Sequence, residues 1–160
     1  MLKKWLDERK QLPTIENAPA KHKAKALEDN LTIVQPVPAD APKPEFWFGE
    51  KLGKPSMGFV YKDASGNVLG YILRFDLADG KKEILPYTLW KDKAGNMHWK
   101  LKGFPVPRPL HNLHLLAAQP DAPVLVVEGE KAANAAITLF PDHVVTSIMG
   151  GANAVVSVVS

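Results

Sequence analysis

The residues best suited to chemistry lie in Val126-Val127-Glu128-Gly129-Glu130-Lys131-Ala132. The apolar run Val124 to Val127 reads as a strand buried on both faces, and Glu128 follows it directly. A carboxylate at the carboxyl end of such a strand stands where open α/β sheets bind their ligands. Gly129 lets the backbone turn sharply and come close to a ligand. Glu128 then suits a hard-oxygen ligand for Mg²⁺ or a general acid/base. The plainer alternative is an acidic residue favoured at the start of the following helix. Further on, Gly150-Gly151 either presents backbone N–H groups to a phosphate or makes a tight turn.

These residues need elements to hold them. Lys131 to Phe140 is Ala-rich and helix-favouring, Pro141 stops it, and His143 to Ser147 is a second strand-like run. Strand, helix and strand with short connections start a βαβ unit with a parallel sheet, and Val155 to Val159 reads as another strand. Two or three strands and one helix do not cover both faces of a parallel sheet. The expectation is a fragment, or a domain completed by something else.

Upstream, Gly58 to Lys62, Val68 to Phe75, Glu83 to Trp90 and Met97 to Leu101 are rich in strand formers. Short Gly-containing turns separate them: Asp63-Ala64-Ser65-Gly66-Asn67, Leu77-Ala78-Asp79-Gly80-Lys81 and Lys93-Ala94-Gly95-Asn96. That pattern predicts an antiparallel meander. Pro105, Pro107 and Pro109 close it, and Leu110 to Ala118 suits a helical turn or two. Residues 1–12 suit a short helix ended by Pro13. Residues 13–45 carry six prolines with interspersed lysines and read as a linker with a short helix at 20–29. The fold expected is α+β: a meander over 46–109, then the first βαβ part of a parallel sheet over 110–160, after an N-terminal helix and linker over 1–45.

Composition narrows the classes. The chain has 160 residues, 46% of them hydrophobic, so about one ordinary domain with a packed core is expected. A formal net charge of +3 permits nucleic-acid binding without arguing for it. The absence of cysteine excludes disulfides, thiolate zinc sites and a cysteine nucleophile. No apolar run approaches the roughly 18 residues of a membrane span, and the charged N-terminus has no signal-peptide core, so a cytoplasmic protein with no membrane partner is expected. His111 and His114 are three apart, but no further ligand has suitable spacing for a metal set, and packing or surface roles are expected. Neither a Walker A motif nor a full GxGxxG occurs. Lys81, Lys82, Lys91, Lys100 and Lys102 make the meander basic. Trp90, Trp99 and Phe104 either offer stacking surfaces or pack the meander, the latter being preferred for the tryptophans.

The order of these pieces resembles a Toprim-domain primase of bacterial, phage or plasmid type. Val124 to Gly129, the helix from Lys131, the strand to Ser147 and Met149-Gly150-Gly151-Ala152-Asn153 are similar to the opening of that domain. Asp63 to Arg74 resembles the strand–turn–strand ahead of it. Arg108-Pro109-Leu110-His111-Asn112-Leu113 resembles a Leu-Tyr-x-Leu element, with His111 where Tyr is usual. The resemblance spans roughly residues 57–155. It implies RNA-primer synthesis by nucleotidyl transfer during phage or plasmid DNA replication. Glu128 would be a catalytic and Mg²⁺-binding residue. Arg74, Lys82, Lys131, Gly150 and Gly151 would contact phosphate or nucleic acid. Single-stranded DNA template, nucleotides and a helicase would be the partners. The Asp-x-Asp pair that completes the family's metal site has no counterpart before Ser160, and no zinc-binding or helicase portion is recognisable. The expectation is therefore the N-terminal part of such a primase, inactive alone. A non-catalytic nucleic-acid-binding or partner-binding module is the alternative, and a different α/β enzyme with a coincidental Glu128 is a third reading.

Overall fold

A computed structural model of the chain describes residues 30–151. The chain divides between Leu31 and Thr32 into two units, and the fold below is that of the second. The helices expected over 1–12 and 20–29 and the strand expected over 155–159 lie outside the described residues. Among the described residues no helix is long and apolar enough to cross a membrane.

The second unit is α+β, with an antiparallel meander followed by a small parallel sheet. The elements are β1 (Thr32–Ile33), α1 (Gly49–Leu52), β2 (Met57–Lys62), β3 (Val68–Asp76), β4 (Lys82–Lys91), β5 (Met97–Lys100), α2 (Leu113–Ala118), β6 (Val124–Val127), α3 (Glu130–Leu139) and β7 (Val144–Ser147). The four long meander strands coincide with the expected runs to within a residue or two at each end. Helix α1 was not expected.

The turns show why the meander forms. Asp63 closes the β2–β3 turn, its Oδ1 accepting from the Ser65 and Asn67 amides at 2.9 Å each. Asp92 does the same for Asn96 in the β4–β5 turn. Gly66 and Gly95 occupy left-handed backbone at φ 89° and 90° in equivalent places. The repeated Asp-x-x-Gly-Asn is thus a turn with a mechanism: carboxylate capping of backbone donors, then a residue with free access to positive φ. Strand β4 is shared. Residues 82–87 pair with β3, and residues 88–91 pair with β5.

Alternation along β2 and β3 gives the sheet two apolar faces. Leu73, Phe75 and Tyr87 form a core on one face, covered by Phe48 and Leu52 of the α1 segment. Phe59, Tyr61 and Ile72 form the other, which packs with Phe104 and Met149. Met149 follows β7, so this second core joins the meander to the parallel unit.

Residues 32–45 are not a free linker. Ile33 pairs with Trp90, and the Val34 and Val37 amides donate to the Leu89 and Val68 carbonyls. Beyond Pro38 the prolines lack donors but keep their carbonyls. Side chains of the sheet supply the bonds instead. Trp99 Nε1 donates to Pro42 O at 2.7 Å, and Tyr87 OH to Glu45 O at 3.0 Å. The strap is held by aromatic donors where a backbone ladder is impossible.

In the parallel unit β6 and β7 pair in register from Val124↔Val144 to Val127↔Ser147. Helix α3 lays Ala133 and Ala136 on Val145, Leu125 and Val127. The segment before α2 ties to β7: His111 N donates to Ser147 O, Thr146 Oγ1 to His111 O, and Asn112 Nδ2 to Val145 O. Strand β7 is buried throughout. Strand β6 is not buried on both faces as expected. Val124 and Val126 are 51% and 58% exposed, because α3 covers only the Leu125–Val127 side.

Gly70 is the position where the meander most needs the absence of a side chain. It faces Tyr61 across the ladder at φ 152°. A Cβ there would stand 3.0 Å from Phe104 Cζ, Thr88 Cγ2 and Tyr87 O alike. Gly70→Ala is expected to lower stability by on the order of 2 kcal/mol, the scale of a strained φ combined with overpacking. Urea unfolding measures this; an unchanged midpoint would contradict the packing described.

Candidate functional site

Glu128 leaves the end of β6 with its side chain exposed, and Glu130 opens α3. Gly129 between them is extended, φ −162° and ψ 172°, and a Cβ there meets nothing within 4 Å. The sharp glycine-dependent turn expected at Gly129 is therefore absent; any residue adopts that backbone. The close approach occurs at the other glycine pair. Gly150 and Gly151 have φ 89° and 67°, and a Cβ on Gly151 would lie 3.5 Å from Glu128 O and 3.9 Å from Glu128 Cγ. The loop after β7 backs onto the Glu128 residue.

Glu130 has a different setting. Its Oε1 accepts a 2.6 Å hydrogen bond from Tyr61 OH, a residue of β2 with no exposed surface. Burial, then the adjacent carboxylate, pushes the Tyr61 phenol well above its ordinary value, so it stays a donor. The Tyr61 ring lies 5.5 Å from Phe104 and 5.4 Å from His111. His111 is buried, edge-on to Phe59, with Nε2 3.5 Å from Asn134 Oδ1 of α3. This is a packing histidine.

One expected phosphate-binding residue, Arg74, is bonded to Asp76, while Lys82 lies opposite Asp76 in the ladder and Lys131 acts on it by charge alone. Arg74 donates to Asp76 Oδ1 through Nε at 3.0 Å and Nη2 at 2.8 Å. Lys82 is the cross-strand partner of Asp76. The Arg74 guanidinium holds the Asp76 carboxyl below its usual range, helped by the Ser56 hydroxyl and by the charge of Lys131 on α3. Three cations and one carboxylate leave the cluster net positive. Arg74 is thus neither a free phosphate ligand nor an isolated strand-end charge: an anion there competes with Asp76.

A Mg²⁺ site needs several converging oxygen ligands. Among the described residues no group of three or more His, Asp or Glu side chains is placed to hold a metal ion. Glu130 is engaged with Tyr61, which leaves Glu128 alone at the strand end, and the described residues do not make a complete Mg²⁺ site. The aromatic residues largely pack the meander. Trp99 leans on Tyr71 and Tyr87, Phe104 is buried, and Trp90 donates to Thr88 Oγ1 with Lys102 over its ring.

Tyr61 and Asp76 were not picked out by sequence. Asp76 was legible once the β3–β4 hairpin is drawn, because the Leu77–Lys81 turn sets it opposite Lys82. Tyr61 carries no such signal, since a tyrosine in a strand is ordinary strand composition.

Buried His111 and partly buried His114 set a pH dependence. Desolvation lowers His111 and, with Lys62 and His111 adding to it, His114. Buried His111 Nδ1 and His114 Nδ1 have no hydrogen-bond partner. A histidine whose folded pKa lies below its unfolded one is protonated first in the unfolded chain, so stability falls as pH drops below about 6.5. Denaturant unfolding at about pH 7.5 and about pH 5.5 should show the loss, and His111→Gln should reduce it. Equal stability at both values would rule out this account of the two imidazoles.

Comparison with protein-family models, with curated proteins and with solved structures found no match.

Proposed function

We propose that this chain carries the meander and opening Toprim elements of a Toprim-type DNA primase. In that reading it takes part in RNA-primer synthesis on single-stranded DNA during phage or plasmid replication. The observation that carries the reading is the pairing of Glu128, at the end of a parallel strand, with the Gly150-Gly151 loop that follows the next strand. The order of meander, connector, strand, Glu-Gly, helix, strand and Gly-Gly supports it. So does the net positive cluster of Arg74, Lys82 and Lys131, which suits a polyanion backbone.

In this reading Glu128 is the exposed carboxylate of the reacting centre, and the basic cluster holds phosphates of template or nucleotide. Mg²⁺ would supply charge neutralisation at the transferring phosphoryl group once further acidic residues complete its ligand set. A second reading is a non-catalytic nucleic-acid-binding or partner-binding module. The exposed Val124 and Val126 favour it.

The chain alone should bind single-stranded DNA weakly and with strong salt dependence. Fluorescence anisotropy on a labelled oligonucleotide should show affinity falling from low salt to about 200 mM. Lys82→Ala and Lys131→Ala should each reduce the log–log salt slope by about one. Binding that is undetectable at low salt, or insensitive to salt, counts against both nucleic-acid readings. No template-dependent primer product is expected from this chain with Mg²⁺ or Mn²⁺, and appearance of such product would show that the acidic set is complete within it.

A further inference from the structure

The turn carrying Glu128 is held from two sides, and both holds meet at one meander side chain. On one side Tyr61 OH bonds Glu130 at 2.6 Å, across 69 residues of sequence. Among the described residues it is the one side chain–side chain hydrogen bond from the meander strands to β6, α3 or β7. On the other side Tyr61 shares a buried cluster with Met149, whose loop ends at Gly151 against Glu128. Phe104 backs the Tyr61 ring, and a Cβ at Gly70 would crowd it at 3.0 Å.

We propose that Tyr61 is the positioning residue of the Glu128 turn: its buried hydroxyl fixes Glu130, and with it the start of α3, so that Glu130 is an anchor and Glu128 the carboxylate left for a ligand. The value of positioning Glu128 rests on the function proposed above; the anchoring itself does not. Glu-Gly-Glu is thereby divided by environment, one carboxylate tied to the meander and the other exposed. A hydrogen bond from a buried phenol to a carboxylate is short and directional, which suits it to orienting a helix start.

The test uses the 160-residue chain and amide hydrogen exchange read by NMR. The first helix-bonded amide of α3 is Ala133, which donates to Gly129 O. In Tyr61→Phe, exchange from Ala133 to Ala136 should quicken by roughly ten- to a hundredfold relative to the core of β3, the factor expected for one lost hydrogen bond to a charged group. The amides of Glu128, Gly129 and Gly151 should shift. Glu130→Gln, which keeps an acceptor oxygen, should restore most of the protection that Glu130→Ala loses. A residue with a merely structural role would lower stability evenly and leave this local pattern unmoved. Local exchange unchanged in Tyr61→Phe overturns the proposal. If that variant does not fold, unchanged exchange in Glu130→Ala, which leaves the Tyr61 ring in place, overturns it equally. The functional reading is tested separately by adding Mn²⁺. Broadening of the Gly129 and Gly151 amides that is equal in wild type and Glu128→Gln removes Glu128 as a ligand while leaving the exchange result intact.

Discussion

Two parallel strands and one helix cannot bury themselves, and the second unit is organised around that constraint. Helix α3 covers one side of β6 and β7. The missing layer under the loop after β7 comes from the meander, through Phe59, Tyr61, Ile72 and Phe104 beneath Met149. Magnitudes divide the labour there. Burying each large apolar side chain is worth roughly 1.5–3 kcal/mol. The one Tyr61–Glu130 bond, with a charged acceptor, is worth about as much as one of them. The cluster therefore supplies most of the attachment, and the hydrogen bond supplies the direction in which α3 leaves β6.

The Arg74–Asp76 pair is governed by different physics. Its side chains are 22% and 50% exposed, and a pair so open to solvent contributes little to stability. It does not hold the sheet together. Its effect is to keep a guanidinium in one place on the strand whose last residue, Asp76, pairs with Lys82. A phosphate that displaced Asp76 would meet a preset fork, and Asp76 would lose its partner. Affinity at such a cluster is a difference between two ion pairs, which makes it modest and salt-sensitive.

How much of this was legible follows from what each element depends on. The meander depends on local chemistry, the Asp-x-x-Gly-Asn turns and the β-branched and aromatic runs between them, and the sequence displays that chemistry openly. The β6–α3–β7 order was equally plain, because a four-residue apolar run and an Ala-rich helix have few other uses. The strap over 32–45 was misread because proline announces a missing donor and says nothing of its carbonyl, and it is the carbonyls that Trp99 and Tyr87 engage. The burial of β6 was overestimated for a related reason. Val124 to Val127 looks the same whether one face or two is covered, and only the placement of α3 decides it. At the candidate site, Glu128, Gly151 and the basic residues were visible as types. The hold of Tyr61 on Glu130 was not, since that bond joins residues brought together by tertiary placement, whereas the Arg74–Asp76 bond lies within one strand.

That relation changes which glycine matters. A strand followed by Glu-Gly invites the view that Gly129 shapes the site. Its backbone is extended and a side chain there would meet only space. Gly151 is left-handed and lies against Glu128, so a side chain there would strain the loop while its Cβ came into contact with the carboxylate's own residue. The physical content of the Glu-Gly signature in this chain thus lies across the sheet, in a loop that Met149 seats on the meander. A ligand at Glu128, as proposed, would have to be accommodated by that loop as well as by the strand end, and the Tyr61 cluster seats the loop through Met149.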